Sequence, residues 1–387
     1  MATGIGYKDI VTMNLNPKGI VPRDTADTLI NAVCYAEGIS WKQSFMKLYE
    51  QAHKYCLLPT EAVCMKGMLT ELGYVRQPAP QQGIGGAKFL EDFRKDFDMT
   101  DTAVIRLSRT NSRCDPYAAV CRVKTDGKLR QALVSSSSDL RGIVREIWIK
   151  CSDESKLKKR SYSLNADRKS SYVTPKESET LHVVNENPED KRIGDCVLRG
   201  VAACLGITWH EALDSIAEAT EYAYPVFNRY GVFDKLLIKE GFEEKMPFRK
   251  DGSLMNGDEF CRYIRDMYPE GSVFLAEIGH SHVAAIRLLK DTYKIYDTWD
   301  STSIRIIRFW VKYPERKTGP RPKPVPQQAA AQTASLPIVR AGEKIKHLIY
   351  GVGTITNVTG GLAEVDFGAK GIKKLDEKWI VKNCKPI

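Results

Sequence analysis

Cys196, His282 and Asp297 are the residues of this chain whose types and order suit nucleophilic catalysis. Cys196 follows Gly194-Asp195 at the expected start of a helix. Unpaired backbone N–H groups there favour a thiolate over a thiol. His282 opens one expected strand, Asp297 closes the next, and Lys290-Asp291 supplies the turn between them. Adjacent antiparallel strands then set the carboxylate beside the imidazole. The chemistry is that of a thiolate nucleophile, an imidazole that moves its proton and a carboxylate that orients the ring. His280 is a rival base, since two residues along a regular strand return to the same side. Asp300 is the rival carboxylate. Arg199 reads as a salt-bridge residue, and Trp209 and Trp299 as core or pocket walls.

The elements that must carry these residues occur twice. A shift of 168 residues lays Trp41 on Trp209 and Gly73 on Gly241, each inside a longer stretch of similar residues. Two blocks sharing one shift indicate diverged copies of one domain. Each copy opens with a helix at Asp27-Thr28 or Asp195-Cys196. A second helix follows the tryptophan and a third ends near the glycine. Strands at 272–278, 282–288 and 293–297 follow, an α+β order. The first copy places Thr28, Tyr117 and Ser135 where the second has Cys196, His282 and Asp297. Its one histidine is His53, so it is expected to be non-catalytic.

Composition sets the frame. Of 387 residues, 43% are hydrophobic and 27% charged, which excludes a disordered or fibrous chain. No run of about 18 apolar residues predicts a membrane helix, so no membrane partner is expected. The start of the chain lacks the pattern of a secretory signal. The net charge of +10 permits contact with nucleic acid or acidic partners without requiring it. None of the ten cysteines forms a C-x-x-C pair, so neither metal nor cofactor is expected, and a reducing cytoplasmic setting is. The boundaries expected are 1–150, a linker at 151–193, 194–313, a Pro/Ala/Gln-rich linker at 314–342, and 343–387. The last piece has short alternating strands and glycine turns such as Gly360-Gly361, which suit a small bent β-barrel. His347 reads as a packing residue within it.

Asn187-Pro188, Gly194-Asp195-Cys196-Val197-Leu198-Arg199, Gly279-His280-Ser281-His282-Val283-Ala284-Ala285 and Tyr296-Asp297-Thr298-Trp299-Asp300-Ser301 together resemble a group of papain-like proteins of bacteria and their phages. That group is related to the bacteriocin-processing cysteine peptidases. The resemblance covers about 120 residues. It implies tandem papain-like domains, with Cys196 as nucleophile, His282 as base and Asp297 as third member. Such peptidases usually carry a glutamine just before the cysteine as an oxyanion donor; here none is present, and Asn187 is the side-chain candidate. His347-x-x-Tyr350-Gly351-x-Gly353-x-Ile355 with Val365-Asp366-Phe367 resembles the Tudor or SH3-like module of some bacterial helicases, which implies docking to protein or nucleic acid. The expected function is a cysteine hydrolase, a peptidase or isopeptidase acting on a protein or peptide. It is expected in a bacterial cytoplasm, or in a host cell or virion if phage-encoded. The alternatives are a non-enzymatic phage or bacterial protein using the fold as a scaffold, and acyl transfer by the same triad.

Overall fold

The computed structural model describes residues 9–19, 24–108, 115–137, 140, 142–158, 176–191, 193–219, 232–247, 249, 252–314, 339–347, 351–359, 362–376, 380 and 384–386. Residues 1–314 form one compact unit and 315–387 a second.

The first unit holds the same layout twice. The first repeat runs β1 (Ile10–Thr12), α1 (Thr25–Glu37), α2 (Trp41–Tyr55), α3 (Ala62–Glu71), β2 (Val75–Gln77), α4 (Gly86–Asp96), β3 (Thr102–Ser108), β4 (Tyr117–Thr125), β5 (Lys128–Ser135) and β6 (Ile143–Lys150). The second runs β7 (Leu181–Val183), α5 (Cys196–Leu205), α6 (Trp209–Ala219), α7 (Asp234–Lys239), β8 (Glu243–Lys245), α8 (Gly257–Met267), β9 (Val273–Ile278), β10 (His282–Leu288), β11 (Tyr293–Asp297) and β12 (Ile306–Lys312). The six strands of each repeat make one sheet, in the orders β1-β5-β4-β3-β6-β2 and β7-β11-β10-β9-β12-β8. Taken strand for strand, these orders are the same. In each, the first strand pairs parallel and the others antiparallel.

Local chemistry accounts for the shared layout. Gly38 and Gly206 end α1 and α5 in left-handed conformations, which glycine adopts without a Cβ penalty. The Ser40/Gln43 and Asn256/Glu259 pairs form capping boxes at the starts of α2 and α8, satisfying N–H groups that the helix leaves open. α5 is buried from Cys196 to Cys204. It packs against β9 and β10 so closely that a Cβ on Gly200 would lie 2.6 Å from the Leu275 side chain.

Two expectations change here. Residues 151–193 are more than a linker, because Leu181–Val183 forms the edge strand β7 beside β11. The second repeat therefore begins before residue 194. Thr28 is not at a helix start either. α1 begins at Thr25, capped by Asp24, whose carboxylate accepts from the Asp27 N–H at 2.9 Å. The structure also reveals a third repeated block. Asn14-Leu15-Asn16-Pro17 matches Asn185-Glu186-Asn187-Pro188 at a shift of 171. Both make the same side-chain turns: Asn16 Oδ1 accepts from the Lys18 N–H, and Asn187 Oδ1 from the Glu189 N–H.

The repeats meet through α2 and α6. His53 Nε2 lies 2.6 Å from Asp214 Oδ1, and the Tyr49 hydroxyl donates to the same oxygen. The His53 and His210 rings stack with centroids 4.7 Å apart. Burial, and His53 beside it, hold the His210 imidazole below its ordinary pKa.

The second unit contains β13 (Lys344–His347), β14 (Gly351–Thr359), β15 (Leu362–Asp366), β16 (Ile372–Asp376) and β17 (Lys385–Pro386), antiparallel in the order β16-β15-β14-β13-β17. Ile345, Ile355, Ala363, Val365 and Phe367 form its core. Buried His347 meets the Phe367 ring edge-on at 5.7 Å, the packing role expected for it. The 315–338 stretch of the expected second linker, and the Gly360-Gly361 turn, lie outside the described residues. Among the described residues, no helix is long and apolar enough to cross a membrane.

Candidate active site

Cys196 is the first residue of α5 and is largely buried. Its N–H is among those with no acceptor inside the helix. β10 presents His282 from its first position and β11 presents Asp297 from its last. His282 Nε2 lies 2.7 Å from Asp297 Oδ2. Cys196 is the ring's other side-chain hydrogen-bond partner. Burial alone pushes the imidazole pKa down. The hydrogen bonds to Asp297 and Cys196, with the charges behind them, outweigh it and raise His282 from 6.5 to about 9. The indole of Trp299 lies tilted beside the same ring, with centroids 5.1 Å apart, and forms a partly exposed wall.

A buried network fixes the carboxylate. The Ser301 hydroxyl donates to Asp297 Oδ2 at 3.1 Å and the Thr298 N–H to Oδ1 at 2.7 Å. Arg199 Nη1 stands 3.9 Å from Oδ1 and donates to the Thr298 hydroxyl at 3.0 Å. Its Nε donates to Asp195 Oδ1 at 2.9 Å, and the Trp209 indole N–H donates to Asp195 Oδ2 at 2.8 Å. Arg199 is thus the expected salt-bridge residue, and it links the base of the cysteine helix to the strand end that carries Asp297. Asp195 is wholly buried, a position that suits a carboxylate only with partners of this kind.

The alternatives fall elsewhere. His280 is not on a strand, since the register pairs His282 with Ile278 and leaves Gly279-His280-Ser281 as the hairpin turn. Its φ is 65° and its side chain is 72% exposed, beside Glu277. Asp300 is exposed and accepts from the N–H and hydroxyl of Thr302, closing a turn. The Asn187 amide is engaged with the first repeat. It donates to the Cys56 carbonyl at 2.9 Å, and its oxygen accepts from Glu189 and Lys191. His280→Ala and Asp300→Ala are expected to change the alkylation rate of Cys196 by less than about twofold, as exposed substitutions away from a network do. The check is iodoacetamide kinetics read by peptide mass spectrometry.

The first repeat brings Thr28, Tyr117 and Ser135 together at the matching place. Thr28 Oγ1 accepts from the Tyr117 N–H at 2.9 Å and donates to the Thr25 carbonyl at 2.8 Å; Ser135 Oγ donates to the Tyr117 carbonyl at 3.3 Å. All three side chains are buried, and both hydroxyls are spent on backbone. Trp41 keeps the place of Trp209, yet its buried indole N–H has no hydrogen-bond partner.

Among the described residues, no group of His, Cys, Asp and Glu is placed to hold a metal ion. The nine described cysteines are unbridged. Comparison with protein-family models, with curated proteins and with solved structures finds no match to this chain.

Proposed function

We propose that the second repeat is a papain-like cysteine hydrolase, a peptidase or isopeptidase, and that the first is its non-catalytic copy. The observation that carries this reading is the His282 ring, held on Asp297 through Nε2 and hydrogen-bonded to Cys196 as well, at a raised pKa of about 9. An imidazolium that persists through neutral pH favours a thiolate beside it. The thiolate attacks a substrate carbonyl, and the Cys196 N–H at the start of α5 faces the developing oxyanion. His282 gives its proton to the leaving amine. It then takes one from the water that hydrolyses the thioester. Asp297 keeps the ring in register throughout. In the same reading the five-stranded C-terminal unit is an SH3-like docking module for protein or nucleic acid, and the chain works in a bacterial cytoplasm or a phage-infected cell.

The test is thiol reactivity in the full-length protein at pH 7. Cys196 is expected to take iodoacetamide about 10²-fold faster than the buried Cys384. Equal rates at the two sites would sink the hydrolase reading and leave the scaffold alternative.

A further inference from the structure

We infer that the first repeat is the positioning partner of the site in the second, with Lys191 and Asn187 as the positioning residues. The helix α2 ends at Tyr55, and its last carbonyls have no acceptor role inside the helix. Two of them are taken by the loop leading to Cys196. The Lys191 ammonium donates to the Tyr55 carbonyl and the Asn187 amide to the Cys56 carbonyl. Lys191 is only 5% exposed and also pairs with Glu189. A cation at the negative end of a helix is favourably placed. Cys56 itself sits at a φ of 46°, uncommon for a residue with a side chain, and closes α2 there.

A second line of contacts reaches the same place. Through Tyr49 and His53, α2 holds Asp214 of α6. α6 in turn holds Asp195, the residue before the nucleophile, through Trp209. The segment 187–196 is therefore gripped by the first repeat directly and through α6. The turn Asn-x-Asn-Pro is common to both repeats, but the 171-residue shift puts Ile20 where the second has Lys191. The lysine belongs only to the loop that precedes the reactive cysteine.

The experiment compares full-length wild type with Lys191→Met and Asn187→Ala by hydrogen–deuterium exchange and by the pH profile of Cys196 alkylation. The exchange result stands by itself, while the alkylation readout rests on the hydrolase reading. Exchange over 187–198 is expected to rise about tenfold in both variants, with β3 to β6 and β9 to β12 unchanged. The alkylation profile is expected to move toward that of an ordinary thiol, near pH 8.5. Unchanged exchange over 187–198 in both variants overturns the proposal, and so does a uniform rise across the whole first unit. If wild-type Cys196 shows no preference for alkylation, the hydrolase reading fails and the exchange still decides the clamp.

Discussion

His282→Ala is expected to slow Cys196 alkylation at pH 7 by roughly tenfold to 30-fold, the deficit of thiolate in an ordinary thiol at that pH. In wild type the rate should be high at neutral pH, because the imidazolium is retained until about pH 9. In the variant it should rise only where an ordinary thiol ionises, near pH 8.5. Hydrolysis and alkylation should then part company in wild type. Above about pH 9 the leaving group loses its proton donor while the thiolate remains, so hydrolysis falls and alkylation does not. Stability follows the same group. A histidine with a raised folded pKa adds stability that is complete below 6.5 and is lost as pH rises through about 9. The most this can amount to is about 3 kcal/mol, from the conversion of pKa shift to free energy. Urea unfolding at pH 6 and pH 9.5 should show that loss in wild type and little of it in His282→Ala. A flat wild-type profile would contradict the His282–Asp297–Cys196 coupling.

Arg199→Met is expected to destabilise the first unit by about 3–5 kcal/mol, the cost of leaving a buried charge without its partner. Asp195 is wholly buried and keeps only the Trp209 indole. Asp297 loses the cation near Oδ1, and the Thr298 hydroxyl loses its donor. The double variant Asp195→Asn, Arg199→Met removes the stranded charge and should regain most of the stability. Urea midpoints of the single and double variants, at one pH, give the comparison. A double variant no more stable than Arg199→Met alone would mean that the loss comes from packing around the arginine stem, not from the ion pair.

The meeting of His282 with Asp297 was legible because it rests on local signals. The strands around Val273–Ile278, His282–Leu288 and Tyr293–Asp297 have apolar and β-branched runs bounded by turn residues, and a hairpin fixes which ends meet. A duplicated tryptophan and glycine gave the repeat. What sequence concealed depended on distance or brevity. Asn187 finds its acceptor 131 residues away, on a different helix of the other repeat. β7 has three residues, too few for any period to show. The place of His280 turned on two consecutive left-handed residues, Gly279 and His280, in a hairpin, which strand alternation does not foretell. The Asn-x-Asn-Pro block, present in both halves, was the missed signal. It escapes notice at a shift of 168 because it obeys 171.

Those two shifts differ by three residues, close to one turn of helix. The difference falls between the Asn-Pro turn and the helix, where α1 starts three residues ahead of Thr28 while α5 starts at Cys196. The Thr28 N–H is consequently bonded to the Asp24 carbonyl at 3.3 Å, inside the helix. The first repeat differs from the second by more than a sulfur, an imidazole and a carboxylate. It also lacks an open helix N–H at the matching position, the group that would face an oxyanion in the proposed hydrolase reading. Placing Cys, His and Asp at positions 28, 117 and 135 would not open that N–H. The helix start at Thr25 would still hold the position-28 N–H inside the helix.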